Sequence, residues 1–177
     1  PPAQSSFLYR IVQLDTNVKA CRPIAFSSCP QYTENSMKYR KGAYKMDEVL
    51  KFLKENPTYF LATVDGDQPR VRPFGTIALF EEKLYFQTGH IKDVYRQLIA
   101  NPQIELCAMA ADGSQWLRIS ATAVRDDRNE ARAAVLADYP SLQSMYAPDD
   151  GNCEVFYLKD ATAVFSSFTA EPKTVTF

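Results

Sequence analysis

Three short stretches hold the residues of this chain best suited to chemistry. The first is Gln68-Pro69-Arg70-Val71-Arg72-Pro73-Phe74-Gly75-Thr76. It reads as part of a strand spanning 70–80. Yet Pro73 cannot donate to a ladder, and Gly75 lets another body approach the backbone. Arg70 and Arg72 stand two apart, so both guanidinium groups leave the same strand face. Such a pair suits a phosphate, held by charge-assisted and often bidentate hydrogen bonds. The competing reading is an edge strand with two solvated arginines. The second stretch is Tyr85-Phe86-Gln87-Thr88-Gly89-His90-Ile91-Lys92-Asp93-Val94. A strand ends at Thr88, a glycine loop follows, and a helix begins near Lys92. A helix N-terminus offers free N–H groups and partial positive charge. Thr88 adds a hydroxyl and Lys92 a cation, which makes a phosphate cradle far less specific than a Walker sequence. The plain alternative is an ordinary strand-to-helix turn. His90 reads as an exposed loop residue rather than a base. The third stretch is Gln115-Trp116-Leu117-Arg118-Ile119. Alternation puts Gln115, Leu117 and Ile119 on one face and Trp116 and Arg118 on the other. The single tryptophan suits the core, the edge of a cofactor or an interface.

Other chemistries lack their residues. No nucleophile elbow, paired carboxylate or cysteine–histidine pair is present, and neither glycine-rich nucleotide motif occurs. One histidine rules out a multi-histidine metal site. The four cysteines, at 21, 29, 107 and 153, form no C-x-x-C, so zinc-ribbon and thioredoxin readings fall away. No catalytic side chain and no metal ligand is assigned. If the chain is an enzyme, its hard chemistry belongs to a cofactor.

These stretches need a scaffold. The 177 residues, 46% hydrophobic and 23% charged, fit one globular domain with an appendage. A net charge of −1 argues against nucleic acid bound through a whole-molecule field. No apolar run reaches the ~20 residues that span a bilayer, so no membrane association is expected. Scattered cysteines without an export signal predict reduced thiols and a cytoplasmic protein. The charge is divided unevenly. Residues 1–45 carry seven basic and two acidic groups, net +5, and the remainder is net −6. The first 45 residues show loop signals, a basic stretch Lys38–Lys45 and only one short strand pattern at 7–12. They are read as an N-terminal extension, and 46–177 as the folded domain. In that domain Met46, Val49, Leu50 and Leu53 predict an amphipathic helix stopped by Asn56-Pro57. Strands are predicted at 58–64, 70–80, 83–88, 103–110 and 115–125, with a last pair at 153–158 and 161–168. Helices are predicted at 93–101 and 129–139. Short turns between strands imply antiparallel pairing, and few helices imply a small α+β barrel.

Taken together, the blocks resemble the pyridoxamine 5′-phosphate oxidase-like family, the flavin-binding split barrels. The resemblance rests on the initial helix 46–56, FLATVDGDQPRVRPFG (60–75), KLYFQTGHIKDVYRQLIANPQIELCA (83–108) and WLRISATAV (116–124). It covers about 46–177. It implies a six-stranded antiparallel split β-barrel with flanking helices, α+β or mainly β. It also implies a homodimer with FMN in two clefts at the interface. Carried over by position, Arg72 grips the FMN phosphate with Arg70 nearby. The backbone of Val71, Arg72, Pro73, Phe74 and Gly75 faces the ring and ribityl chain. Gln87 lies beside the cofactor, and Thr88, Gly89 and Lys92 complete the phosphate site. Gln115 and Trp116 approach from the other protomer. True oxidases of the family carry a C-terminal arginine and histidine for the substrate phosphate. Here the end is SSFTAEPKTVTF, so that activity is not expected. The resemblance implies instead an FMN oxidoreductase passing hydride or electrons from a small-molecule donor to a small acceptor. An FMN electron carrier or sensor without its own substrate is the alternative. Some relatives bind a deazaflavin or haem.

Overall fold

The structure is a computed structural model that describes residues 46–177; the extension, its strand pattern at 7–12 and its basic stretch lie outside the described residues. Helix α1 covers 46–55 and ends where Asn56 folds back on the Phe52 carbonyl, just before Pro57. Eight strands follow: β1 (Tyr59–Asp65), β2 (Gln68–Phe74), β3 (Ala78–Phe80), β4 (Lys83–Gly89), β5 (Gln103–Met109), β6 (Gln115–Asp126), β7 (Cys153–Ser167) and β8 (Lys173–Thr176). Helix α2 (Asp93–Ala100) joins β4 to β5, and α3 (Asn129–Asp138) follows β6. The spatial order is β2-β1-β5-β6-β7-β4-β3, with β8 against β7, all antiparallel.

The expected split barrel is therefore present, with eight strands where the resemblance implied six. Three local readings are corrected. The strand predicted over 70–80 is two strands, β2 and β3, at opposite ends of the sheet order. Residues 75–77 cross between them, so the ends of the sheet are joined by the chain and not by a ladder. Pro73 and Gly75 mark that departure. The last predicted strand pair is one strand, β7. Lys159-Asp160 looked like a turn, but Asp160 (φ 53°) sits in a bulge where Asp160 and Ala161 oppose Ala121. Strand β8 went unread because its short, polar sequence has one inward apolar residue, Val175.

Alternation fills the barrel. Tyr59 and Leu61 of β1, Leu84 and Phe86 of β4, Leu106 of β5, and Leu117 and Ile119 of β6 are buried in one cluster. Val49 and Leu53 of α1 and Val94 and Leu98 of α2 join it. Each such side chain contributes roughly 1.5–3 kcal/mol by leaving water. Helix α3 packs outside, its Ala131 and Val135 against Ala78, Tyr85 and Val155. No helix among the described residues is long and apolar enough to cross a membrane.

Candidate functional site

The site lies where the sheet is split. A cavity of about 230 Å³ is lined by Arg72, Pro73, Phe74, Gly75, Thr76, Gln87, Lys92 and Val94. A wider groove of about 420 Å³ shares Arg72, Lys92 and Val94, and adds Asp65, Arg70, Asp93 and Gln97. One wall is β2 with the 75–77 crossing. The other is the end of β4 and the start of α2.

Arg72 is fixed by uncharged partners. It is opposite Leu61 on the inward face of β2. Its guanidinium donates to Thr63 Oγ1 at 2.6 Å, Gln97 Oε1 at 2.7 Å, the Leu61 carbonyl at 3.2 Å and the Arg70 carbonyl at 3.3 Å. Thr63 in turn donates to the same Gln97 oxygen at 2.6 Å, which closes a triangle. No carboxylate pairs with Arg72 among the described residues. Burial lowers its pKa, and the charge of Arg70 lowers it further. A half-buried cation held only by neutral groups is electrostatically unsatisfied, and an anion in the groove would relieve it.

The surroundings favour that anion. Arg70 projects from the same face of β2 and pairs loosely with Asp65 at 3.4 Å. Lys92 stands at the N-cap of α2, where no side chain caps the helix. Its ammonium is 5.9 Å from the centre of the Tyr146 ring. Asp93 is engaged by Arg96. Gly89 is boxed in. A Cβ there would stand 3.2 Å from both Asn152 Oδ1 and Tyr146 Oη, and 3.6 Å from Lys92 Cε.

The predicted residues separate into groups. Arg70, Arg72, Pro73, Phe74, Gly75, Gln87 and Lys92 come together at the cleft, and Gly89 is not among its lining residues but lies close to Lys92. Val71 points to the opposite face of β2 and is 67% exposed. Thr88 is buried opposite Glu154 and does not line the cavity; its hydroxyl has no hydrogen-bond partner among the described residues. Gln115 and Trp116 begin β6 away from the cavity, and the Trp116 ring lies tilted against Phe168 with centroids 5.2 Å apart. Trp116 faces outward, so the core reading of that residue does not hold. His90 is exposed, as expected, but it has partners. Its Nδ1 is 3.1 Å from Glu154 and its ring is 4.4 Å from that of Tyr95. Glu154 is buried and also takes two hydrogen bonds from Arg125. Burial works against its charge, but the hydrogen bonds from Arg125 and His90 prevail and lower its pKa. Sequence reasoning missed Thr63 and Gln97. Both are polar residues at inward positions of apolar patterns, which was the available signal.

Residues 46–163 match the family model of pyridoxamine 5′-phosphate oxidase. The chain belongs to the pyridoxamine 5′-phosphate oxidase-like family. A nimC/nimA family protein from Clostridium acetobutylicum is 38% identical, with a TM-score of 0.75, over 80% of this chain and 98% of that one. General stress protein 26 from Bacillus anthracis is 15% identical, with a TM-score of 0.59, over 76% of this chain and 98% of that one. A heme binding protein from Mycobacterium smegmatis is 15% identical, with a TM-score of 0.58, over 75% of this chain and 57% of that one. The last two likenesses show the shared fold alone. No curated protein matches the chain significantly.

Proposed function

We propose that this family member binds FMN in the split-barrel cleft and acts as an oxidoreductase. The supporting observation is Arg72, a half-buried cation with no carboxylate partner among the described residues, facing a groove shared with Arg70, Lys92 and the start of α2. Arg72, Arg70 and Lys92 would hold the phosphate. The backbone from Pro73 to Thr76 and the Gln87 side would border the ring and ribityl chain. When bound, the flavin supplies the hydride or electron transfer, from a small reduced donor to a small acceptor. The chain's own residues bind it, orient it and shield one side from water.

A homodimer belongs to the same reading. Phe60 (51% exposed), Val71, Met109 and Trp116 share the outward face of the β2-β1-β5-β6 region. These exposed apolar residues, flanked on the same face by the Arg118–Glu105 pair, suit a second copy. Gln115 and Trp116 would then reach the partner's cleft. A cytoplasmic location fits Cys107 and Cys153, which are both free thiols. The test is the visible spectrum of the purified protein, followed by titration with FMN. A yellow protein, or uptake at micromolar FMN, is expected. A colourless protein that fails to take up FMN would refute the assignment.

A further inference from the structure

Gly75 and Thr76 of the 75–77 crossing line the cavity, yet among the described residues no sheet ladder holds the crossing. The structure shows what does. Tyr139, just after α3, uses one phenol oxygen on both backbone groups of Ile77. It accepts from the Ile77 N–H at 2.7 Å and donates to the Ile77 carbonyl at 2.9 Å. Lys54 of α1 donates to the same oxygen at 3.2 Å and to Asp138 at 3.2 Å. Burial opposes the charge on Lys54, but the hydrogen bonds to Tyr139 and Asp138 prevail and raise its pKa. The phenol is thus fully used, with one bond donated and two accepted. Two neighbours complete the fixation. Tyr59 donates to the Thr76 carbonyl at 2.8 Å, and Thr76 Oγ1 accepts from the Gln87 N–H at 2.9 Å. Tyr59 is fully buried, and burial raises its pKa, so it remains a donor.

We propose that Tyr139 is a positioning residue for the cofactor cleft, acting through the Ile77 backbone to set the wall formed by Gly75 and Thr76. Its phenol takes the place of the missing neighbour strand at the split. The backbone groups of a crossing without a ladder would otherwise be free to turn, and a planar ligand against them would have to order them on binding. A clasp made beforehand removes that cost. Lys54 supports the phenol from α1, so both helices that flank the crossing set its place. The proposal rests on the flavin reading of the cleft.

Tyr139→Phe removes the oxygen and keeps the ring. Leu136→Ala, in the buried face of α3, serves as a matched destabilised variant that keeps the Tyr139 phenol. Two readouts are taken on the full chain. Amide hydrogen exchange over 74–80, without flavin, should quicken at least tenfold in Tyr139→Phe and stay near wild type in Leu136→Ala. The FMN Kd should rise about tenfold in Tyr139→Phe, as for loss of one well-made polar contact, and change little in Leu136→Ala. Exchange that quickens while the Kd stays at the wild-type value overturns the proposal, as does no change in either readout. Equal weakening in both variants also overturns it, because the effect would then follow general stability. Wild-type protein that takes up no FMN refutes the flavin reading itself, a result distinct from all of these.

Discussion

Replacement of Arg72 by Met separates binding from folding, because the two depend on this side chain differently. All four acceptors of the guanidinium are uncharged: Thr63 Oγ1, Gln97 Oε1 and the carbonyls of Leu61 and Arg70. Without the guanidinium, Thr63 still donates to Gln97 at 2.6 Å, so the buried amide oxygen keeps a partner. The folded state also sheds a half-buried cation whose pKa burial already lowers. Met retains much of the apolar stem. These effects largely offset, and stability should change by no more than about 1 kcal/mol. Binding has no such offset. A charge-assisted contact to a phosphate dianion contributes about 1.5–3 kcal/mol, so the FMN Kd should rise roughly 10- to 150-fold. Riboflavin, which has the same ring and ribityl chain without phosphate, supplies the internal control. Fluorescence titrations with both ligands, beside urea unfolding, read the three quantities. Expected are a large rise in Kd for FMN, little change for riboflavin and a nearly unchanged unfolding midpoint. Equal losses for FMN and riboflavin would refute the phosphate assignment even if binding falls. A large loss of stability would refute the view that Arg72 is held for a ligand rather than for the fold.

Three further predictions address other parts of the molecule. Trp116→Ala should weaken the proposed homodimer at least tenfold by sedimentation equilibrium, since large aromatic rings in such faces dominate association; an unaltered dimer constant would confine Trp116 to its contact with Phe168. Gly89→Ala places a methyl 3.2 Å from Asn152 Oδ1 and Tyr146 Oη; both must give way, and it should cost about 1 kcal/mol in urea unfolding. Asp126 is held by Arg128, whose hydrogen bonds lower its pKa from 3.8 to about 2 against the opposing effect of burial. The folded value lies below the unfolded one, so its contribution of about 2 kcal/mol is present above pH ~4 and lost as pH falls towards 2. Asp126→Asn should remove that slope when urea midpoints at pH 5 and pH 2.5 are compared.

The elements legible in the sequence were those with strong periodicity. Strands β5 and β6 alternate inward and outward residues, β1 and β4 are short runs rich in aromatic and other apolar residues bounded by turns, and α2 repeats Val94 and Leu98 at helical spacing, so each was placed to within two residues. What failed depended on tertiary partners. Nothing local tells that 75–77 leaves one end of the sheet for the other, because the deciding contacts come from Tyr59 and Tyr139, far away in the chain. Likewise Asp160 looks like a turn residue until β6 is seen to continue past it. At the site, the paired spacing of Arg70 and Arg72 was readable, since alternation is local. The absence of a carboxylate beside Arg72 was not, since that depends on which of the acidic residues the fold brings near.

The split itself explains why the cations gather where they do. A closed barrel would pair the outer edge of β2 with a neighbour and leave no backbone groups there for a ligand. Among the described residues β2 pairs only with β1, and the chain leaves it through residues 75–77. The open edge offers N–H and C=O groups, interrupted at Pro73, to anything flat and polar laid along it. Such an edge would equally invite another strand. The inward Arg72, the adjacent Arg70 and the nearby Lys92 disfavour that, because a strand placed there would bring three cations against its own backbone without an anion. A ligand carrying both a planar polar ring and a phosphate meets the two requirements together. On the proposed flavin reading, the same residues would both guard the edge from strand addition and select for a phosphorylated cofactor, and neutralising Arg70, Arg72 and Lys92 together should leave an edge that aggregates as well as one that no longer holds FMN.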